Sequence, residues 1–264
     1  MKFEFPTQDP SAFAGDLLVV LVSTSSLAAA LAALDGAPGY GGALAPALQD
    51  EDFTGKPGST VMLAGLGKVP ARRVLFVGAG VAGAGELHAA AGVAGNQARN
   101  KGAKNVGVCA PGVSVGADGV RGLVEGYSEG NYRFDRYKSE AARKAATETL
   151  SFLGIGADPA AVGRASASAA GQALARDLVN EPAAVVYPES LAAVAVGLAT
   201  PEITVTAGRS AATAFIVPMT AAAPAMSQRM VSMPSEGLSE SPPESKVTPL
   251  PTRATCAFEA PGGV

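Results

Sequence analysis

Four groups of residues in this 264-residue chain have types and spacings that can do chemistry. The first is Gly78-Ala79-Gly80-Val81-Ala82-Gly83. A G-x-G-x-x-G turn that follows a strand and opens a helix lets a dinucleotide pyrophosphate approach the positive helix N-terminus. That chemistry also needs an acid at the end of the next strand to hold the ribose. Here the next strand closes on Val108-Cys109-Ala110-Pro111, and Glu86 in the first helical turn would oppose a phosphate. Nucleotide binding through Gly78, Gly80 and Gly83 is therefore an alternative to a plain strand-to-helix turn, which is the preferred reading. The second is His88, the single histidine. As a general base it needs an orienting acid and a nucleophile in reach, and no motif such as G-x-S-x-G supplies one. It reads as a surface or half-buried helix residue.

The third group is the cysteines. Cys109 closes an apolar strand and reads as a small buried hydrophobe. Cys256 lies in a Pro-rich stretch, and neither has C-x-x-C spacing. The fourth is Tyr132-Arg133-Phe134-Asp135-Arg136-Tyr137-Lys138. Cations interleaved with aromatics bind single-stranded nucleic acid by stacking and charge. Glu129, Asp135 and Glu140 dilute that field, so the alternation fits a strand or extended connector with one packed face.

These groups need elements to position them. Asp16 to Ser23 is a short apolar run bounded by polar residues, the mark of a strand buried on both faces. Leu27 to Leu34 is an Ala/Leu helix. Thr60 to Leu63, Arg73 to Val77, Val106 to Cys109 and Thr149 to Ile155 read as further strands. Ala82 to Lys101 is a long helix with Gly102 as C-cap, and Val120 to Glu125 lies on another. Pro159 to Val179 is a second long helix, and Pro188 to Leu198 a third with proline in its first turn. Strands alternating with helices predict an α/β layer around a mixed, mostly parallel sheet with helices on both faces.

Composition narrows the function classes. Net charge is −3 and the sequence pI is about 5.3, which argues against nucleic acid as a partner. Two separated cysteines make no disulfide framework and fit a reducing, cytoplasmic setting. Charges at Lys2 and Glu4 with Pro6 spoil a signal peptide. The apolar run Leu17 to Val22 is too short to span a membrane. From Ala207 to Val264 the sequence turns to Pro, Ser and Thr, with two aromatics, Phe215 and Phe258. Such a stretch buries too little apolar area to offset its ordering entropy and is expected to be disordered. The expected division is an N-terminal α/β domain over 1–155, a connector helix and the start of a further domain over 156–206, and a tail over 207–264.

Two stretches point to a family. Ala175-Arg176-Asp177-Leu178-Val179-Asn180-Glu181-Pro182, followed by Tyr187-Pro188-Glu189-Ser190-Leu191-Ala192, resembles the junction where leucyl aminopeptidases pass from an N-terminal domain to a two-metal peptidase domain. Glu125-Gly126-Tyr127 and Tyr132 to Ser139 match the same family in order and spacing. Phe53-Thr54-Gly55-Lys56, Val74 to Gly78 and Ile203 to Thr206 are similar to it more weakly. The resemblance implies a macro-domain-like fold, a connector helix over 159–179, and a homo-hexameric, metal-dependent peptidase that uses two divalent cations, zinc or manganese. The metal-ligand stretches of that family have no counterpart here. Past Ala207 there is no aspartate and no histidine, only Lys246 and the glutamates Glu236, Glu240, Glu244 and Glu259. The expectation is thus a chain with no catalytic, cofactor or metal residues of its own, inactive as it stands. A frameshift or a genuinely truncated relative would each explain the change near residue 207. A non-catalytic interaction or assembly module is the runner-up role, and the chain is expected to be monomeric or aggregating.

Overall fold

A computed structural model describes residues 1–36, 39–200, 203–207, 214–218 and 254–255. It divides into two compact units, Met1–Asn180 and Glu181–Val264.

The first unit is built on a six-stranded sheet. Its strands are β1 (Lys2–Glu4), β2 (Leu17–Val22), β3 (Thr60–Ala64), β4 (Arg73–Gly78), β5 (Asn105–Cys109) and β6 (Thr149–Phe152). The order across the sheet is β1-β6-β5-β2-β4-β3. Every neighbouring pair is parallel except β3 with β4. The helices are α1 (Leu27–Leu34), α2 (Leu44–Asp50), α3 (Ala84–Lys101), α4 (Ala117–Asn131) and α5 (Pro159–Asn180).

The central strand explains the layering. All six residues of β2 are fully buried, because a parallel strand flanked on both sides carries apolar side chains on both faces. Leu17, Val19 and Leu21 join the cluster made with α3, α4 and the first turns of α5. Leu18, Val20 and Val22 join the opposite cluster, with Ala30 and Leu34 of α1 and Leu44 and Leu48 of α2. The expected α/β architecture with helices on both faces is what the structure shows, and α5 belongs to the first unit.

Helices α3 and α4 pack at backbone distance. A Cβ added at Gly126 would lie 2.0 Å from the His88 carbonyl oxygen, one at Gly130 1.9 Å from the Gly92 oxygen, and one at Gly122 2.7 Å from the Ala84 oxygen. Glycine at every fourth position of α4 thus removes the side chains that otherwise set the distance between two helices. The seam orients the C-terminal end of α4, where Tyr132 emerges.

Several expectations need correction. Helix α3 starts at Ala84, two residues later than Ala82, because Ala82 has φ +57 and Gly83 is the extended N-cap. Strand β6 ends at Phe152, not Ile155, because Gly154 takes φ +67 and turns the chain. Strand β1 and helix α2 were not expected. Of the strand or extended connector expected over Tyr132 to Lys138, the structure has the connector, with a turn at 136–137.

The second unit contains α6 (Pro188–Gly197) and a three-stranded sheet of β7 (Ile203–Ala207), β8 (Ala214–Pro218) and β9 (Ala254–Thr255). Strand β7 lies between the other two and is antiparallel to both. Helix α6 starts where Pro188 fits the first turn and the Ser190 hydroxyl accepts the Tyr187 N–H at 2.9 Å. The expectation of a disordered tail concerns 207–264, and apart from these strands it lies outside the described residues.

Candidate functional site

The two stretches that carry the family resemblance meet in space. Tyr132 leaves the C-terminus of α4 in an extended conformation, and its ring lands on the last turns of α5. The Arg176 guanidinium stands 3.9 Å over that ring, a cation–π contact. The Tyr132 hydroxyl donates to Asp177 Oδ1 at 2.6 Å, and Asn180 Nδ2 donates to the hydroxyl at 3.3 Å. Arg176 also donates to the Glu129 carbonyl at 3.0 Å. Desolvation first, and then the Asp177 carboxylate, pushes the Tyr132 phenol pKa up, so the hydroxyl stays a donor at neutral pH. Helix α5 buries only Ala161 and Ala165, near its start. The Tyr132 cluster ties its far end to the domain, beside the partly buried Leu174 and Leu178.

Beside this joint lies a cavity of about 420 Å³ between the end of α3, the 132–144 connector and α5. Among the described residues its cations are Arg99, Arg133, Lys138, Lys144 and Arg176, and its single carboxylate is Asp135. Lys138 bonds Asp135, and that bond holds the Asp135 carboxyl below the usual carboxylate range. Arg99 donates to the Tyr132 carbonyl at 2.8 Å, and Arg133 donates to the carbonyls of Lys144 and Arg99. Lys144 donates to the Asn100 carbonyl at 2.7 Å. The sequence marks Arg133 and Lys138, and Arg176 through the junction stretch. Arg99 and Lys144 carried no sequence signal, since they converge only once α3 and the connector are folded.

The glycine-rich turn is spent on the fold. The Gly78 N–H goes to the Ser59 carbonyl, that of Ala79 to Val22, that of Gly80 to Gly55 and that of Ala82 to Ala79. Gly80, at φ +57, faces the Pro57 ring, and the Glu86 carboxylate lies over Gly83. With those amides occupied and a carboxylate at the helix start, the turn is no open phosphate cradle. His88 is half-buried and faces Glu129, with Nε2 3.2 Å from Oε2, and so pairs α3 with α4. Cys109 is buried at the end of β5, its thiol directed to the Val19 carbonyl at 3.5 Å. Burial, and to a lesser degree the charge of Asp9, pushes that thiol pKa up. It is an inert thiol by this criterion. Cys256 lies outside the described residues.

A second crevice, about 460 Å³, opens where β5 and β6 end. It sits where the chain after β2 turns to one face of the sheet and the chain after β5 to the other, a place where open α/β sheets bind ligands. Its walls are apolar and glycine-rich, among them Pro111, Val113, Leu153 and Ile155. Among the described residues its one titratable lining residue is the buried Cys109. Among the described residues, no three His, Cys, Asp or Glu side chains gather as a metal-ligand set, and no helix is long and apolar enough to cross a membrane.

Comparison with known proteins points to one family. The family model described as "Cytosol aminopeptidase family, N-terminal domain" matches residues 18–141. The chain is 35% identical over 211 residues to the cytosol aminopeptidase of Pseudomonas aeruginosa (strain PAO1), covering 75% of this chain and 42% of that protein. It is 38% identical over 166 residues to the "Probable cytosol aminopeptidase" of Stutzerimonas stutzeri, covering 57% of this chain and 33% of the relative. The chain thus spans less than half the length of the curated relatives it matches. A tomato leucine aminopeptidase mutant shares the fold with a TM-score of 0.67 at 24% identity, over 78% of this chain and 44% of that one. The family model and the relatives agree: residues 18–141 are an N-terminal domain of the cytosol aminopeptidase family.

Proposed function

We propose that this chain is the positioning module of a metal-dependent aminopeptidase, a cytoplasmic enzyme that removes N-terminal residues from peptides with two divalent cations, zinc or manganese. In this reading the described domain holds and aims the connector helix and does no bond-breaking itself. The observation that carries it is the joint at Tyr132. Ring stacking on Arg176 and a hydroxyl bond to Asp177 fix the end of the helix leading into the junction stretch. What supports a non-catalytic role is the sequence past Ala207, which offers no aspartate or histidine. Hard cations need clustered oxygen ligands on a rigid frame. A double-mutant cycle on Tyr132→Ala and Arg176→Ala tests the joint. A coupling energy of about 1 kcal/mol is expected for a partly exposed cation–π pair. Additive effects on unfolding would mean that the two motifs touch without holding the helix.

A further inference from the structure

The cavity beside the joint carries a charge imbalance that holding α5 does not require. Among the described residues, five cationic side chains and one carboxylate line it, and that carboxylate is already bonded to Lys138. Arg99, Arg133 and Lys144 are aimed by backbone carbonyls, which orient a cation without cancelling its charge. The Nε of Arg133 is buried with no hydrogen-bond partner among the described residues, so a donor is left over. Gathered like charges repel one another and raise the local potential for anions. Two nearby acids are engaged elsewhere: Asp177 accepts from Tyr132, and Glu129 faces His88.

We propose that this cavity binds a compact phosphate-type anion with at least two negative charges, of the kind a pyrophosphate group presents. Guanidinium forks pair bidentately with such oxyanions, and lysine adds point charge. A volume of about 420 Å³ lies within the range of small-molecule sites. The site shares Tyr132 and Arg176 with the joint, but Lys138 and Lys144 take no part in it, so substituting those two lysines tests the site and leaves the joint in place.

The test is isothermal titration of the full chain with inorganic pyrophosphate at fixed ionic strength, beside a parallel titration with citrate. The Lys138→Gln/Lys144→Gln double variant is compared with Lys68→Gln, an exposed lysine on a distant hairpin. Pyrophosphate is expected to bind the parent chain and Lys68→Gln alike, and about tenfold or more weakly per cation removed in the double variant. No binding, equal binding by the double variant, or citrate binding as tightly as pyrophosphate would each overturn the proposal. Both substituted lysines are exposed, and circular dichroism checks that the variants remain folded.

Discussion

Replacing Gly126 by alanine asks whether the α3–α4 seam is set by backbone contact. The added Cβ would sit 2.0 Å from the His88 carbonyl oxygen, 2.8 Å from its carbon and 3.0 Å from its Cα. Ordinary contact begins near 3.4 Å, so the helices must part by about 1.4 Å at this point, the difference of those two distances. The obstacle is main chain and cannot swing away. Gly122 and Gly130 approach α3 in the same manner one turn to either side, so tilting about one end relieves nothing. Overpacking of a tight interface costs about 1–3 kcal/mol, and this geometry belongs at the upper end. Alanine returns about 1 kcal/mol of helix propensity. The net expectation is about 2 kcal/mol of destabilisation, or a Tm about 4–8 °C lower for a domain of this size. The control is the same chemical change at Gly163 in α5, where nothing lies within 4 Å; there the propensity term stands alone and stability rises by up to about 1 kcal/mol. Urea unfolding followed by circular dichroism reads both, with unchanged slopes required for the comparison. If Gly126→Ala proved as stable as Gly163→Ala, backbone approach would not be what joins these helices.

Further outcomes follow from other parts of the fold. Leu66 is 82% exposed at φ +51, followed by Gly67 at φ +72 in the turn between β3 and β4; Leu66→Asn, better suited to that region, should stabilise by about 0.5–1 kcal/mol in the same assay. In a Cys256→Ser background, Cys109 should resist a thiol reagent in the native state and react on unfolding; rapid native labelling would contradict its burial. Cys109 and Tyr127 both have folded pKa values raised by burial above their ordinary values of 9.0 and 10.0. The neutral forms are the ones stabilised, so this contribution is complete below about pH 9 and is lost as pH rises beyond it. Urea midpoints measured from pH 7 to 11 should therefore fall at the alkaline end, and less steeply in Cys109→Ala. Val179, 84% exposed near the end of α5, and in the second unit Val185, Tyr187 and Leu191, each above 40% exposed, offer apolar surface. Light scattering after size exclusion should show a monomer or a polydisperse aggregate, and a sharp hexamer would refute that expectation.

How much the sequence discloses depends on how local each cause is. Strand β2 is legible because Leu17 to Val22 is uninterrupted and apolar, which only a strand covered on both faces tolerates. Helix α5 is legible from its length and from Pro159 in the first turn. Strand β1 escapes because Lys2-Phe3-Glu4 offers one apolar residue, and its existence depends on pairing with β6, far along the chain. Helix α2 escapes because it is seven residues long and contains Pro46. The glycines at 122, 126 and 130 look like weak points of a helix until α3 lies against them. The cavity is the least legible feature. Its cations come from residues 99, 133, 138, 144 and 176, and only the fold brings those positions together. The Tyr132 and Arg176 stretches, by contrast, stand out as motifs, although neither reveals that its partner is the other.

The positioning role is tested most directly by turnover. The purified full chain is incubated with a leucine amide substrate, with and without added manganese or zinc, and again with a chelator. The account predicts no metal-dependent release of leucine under any of these conditions. Release that rises with added metal and is abolished by the chelator would contradict it, and would place a catalytic centre in this chain.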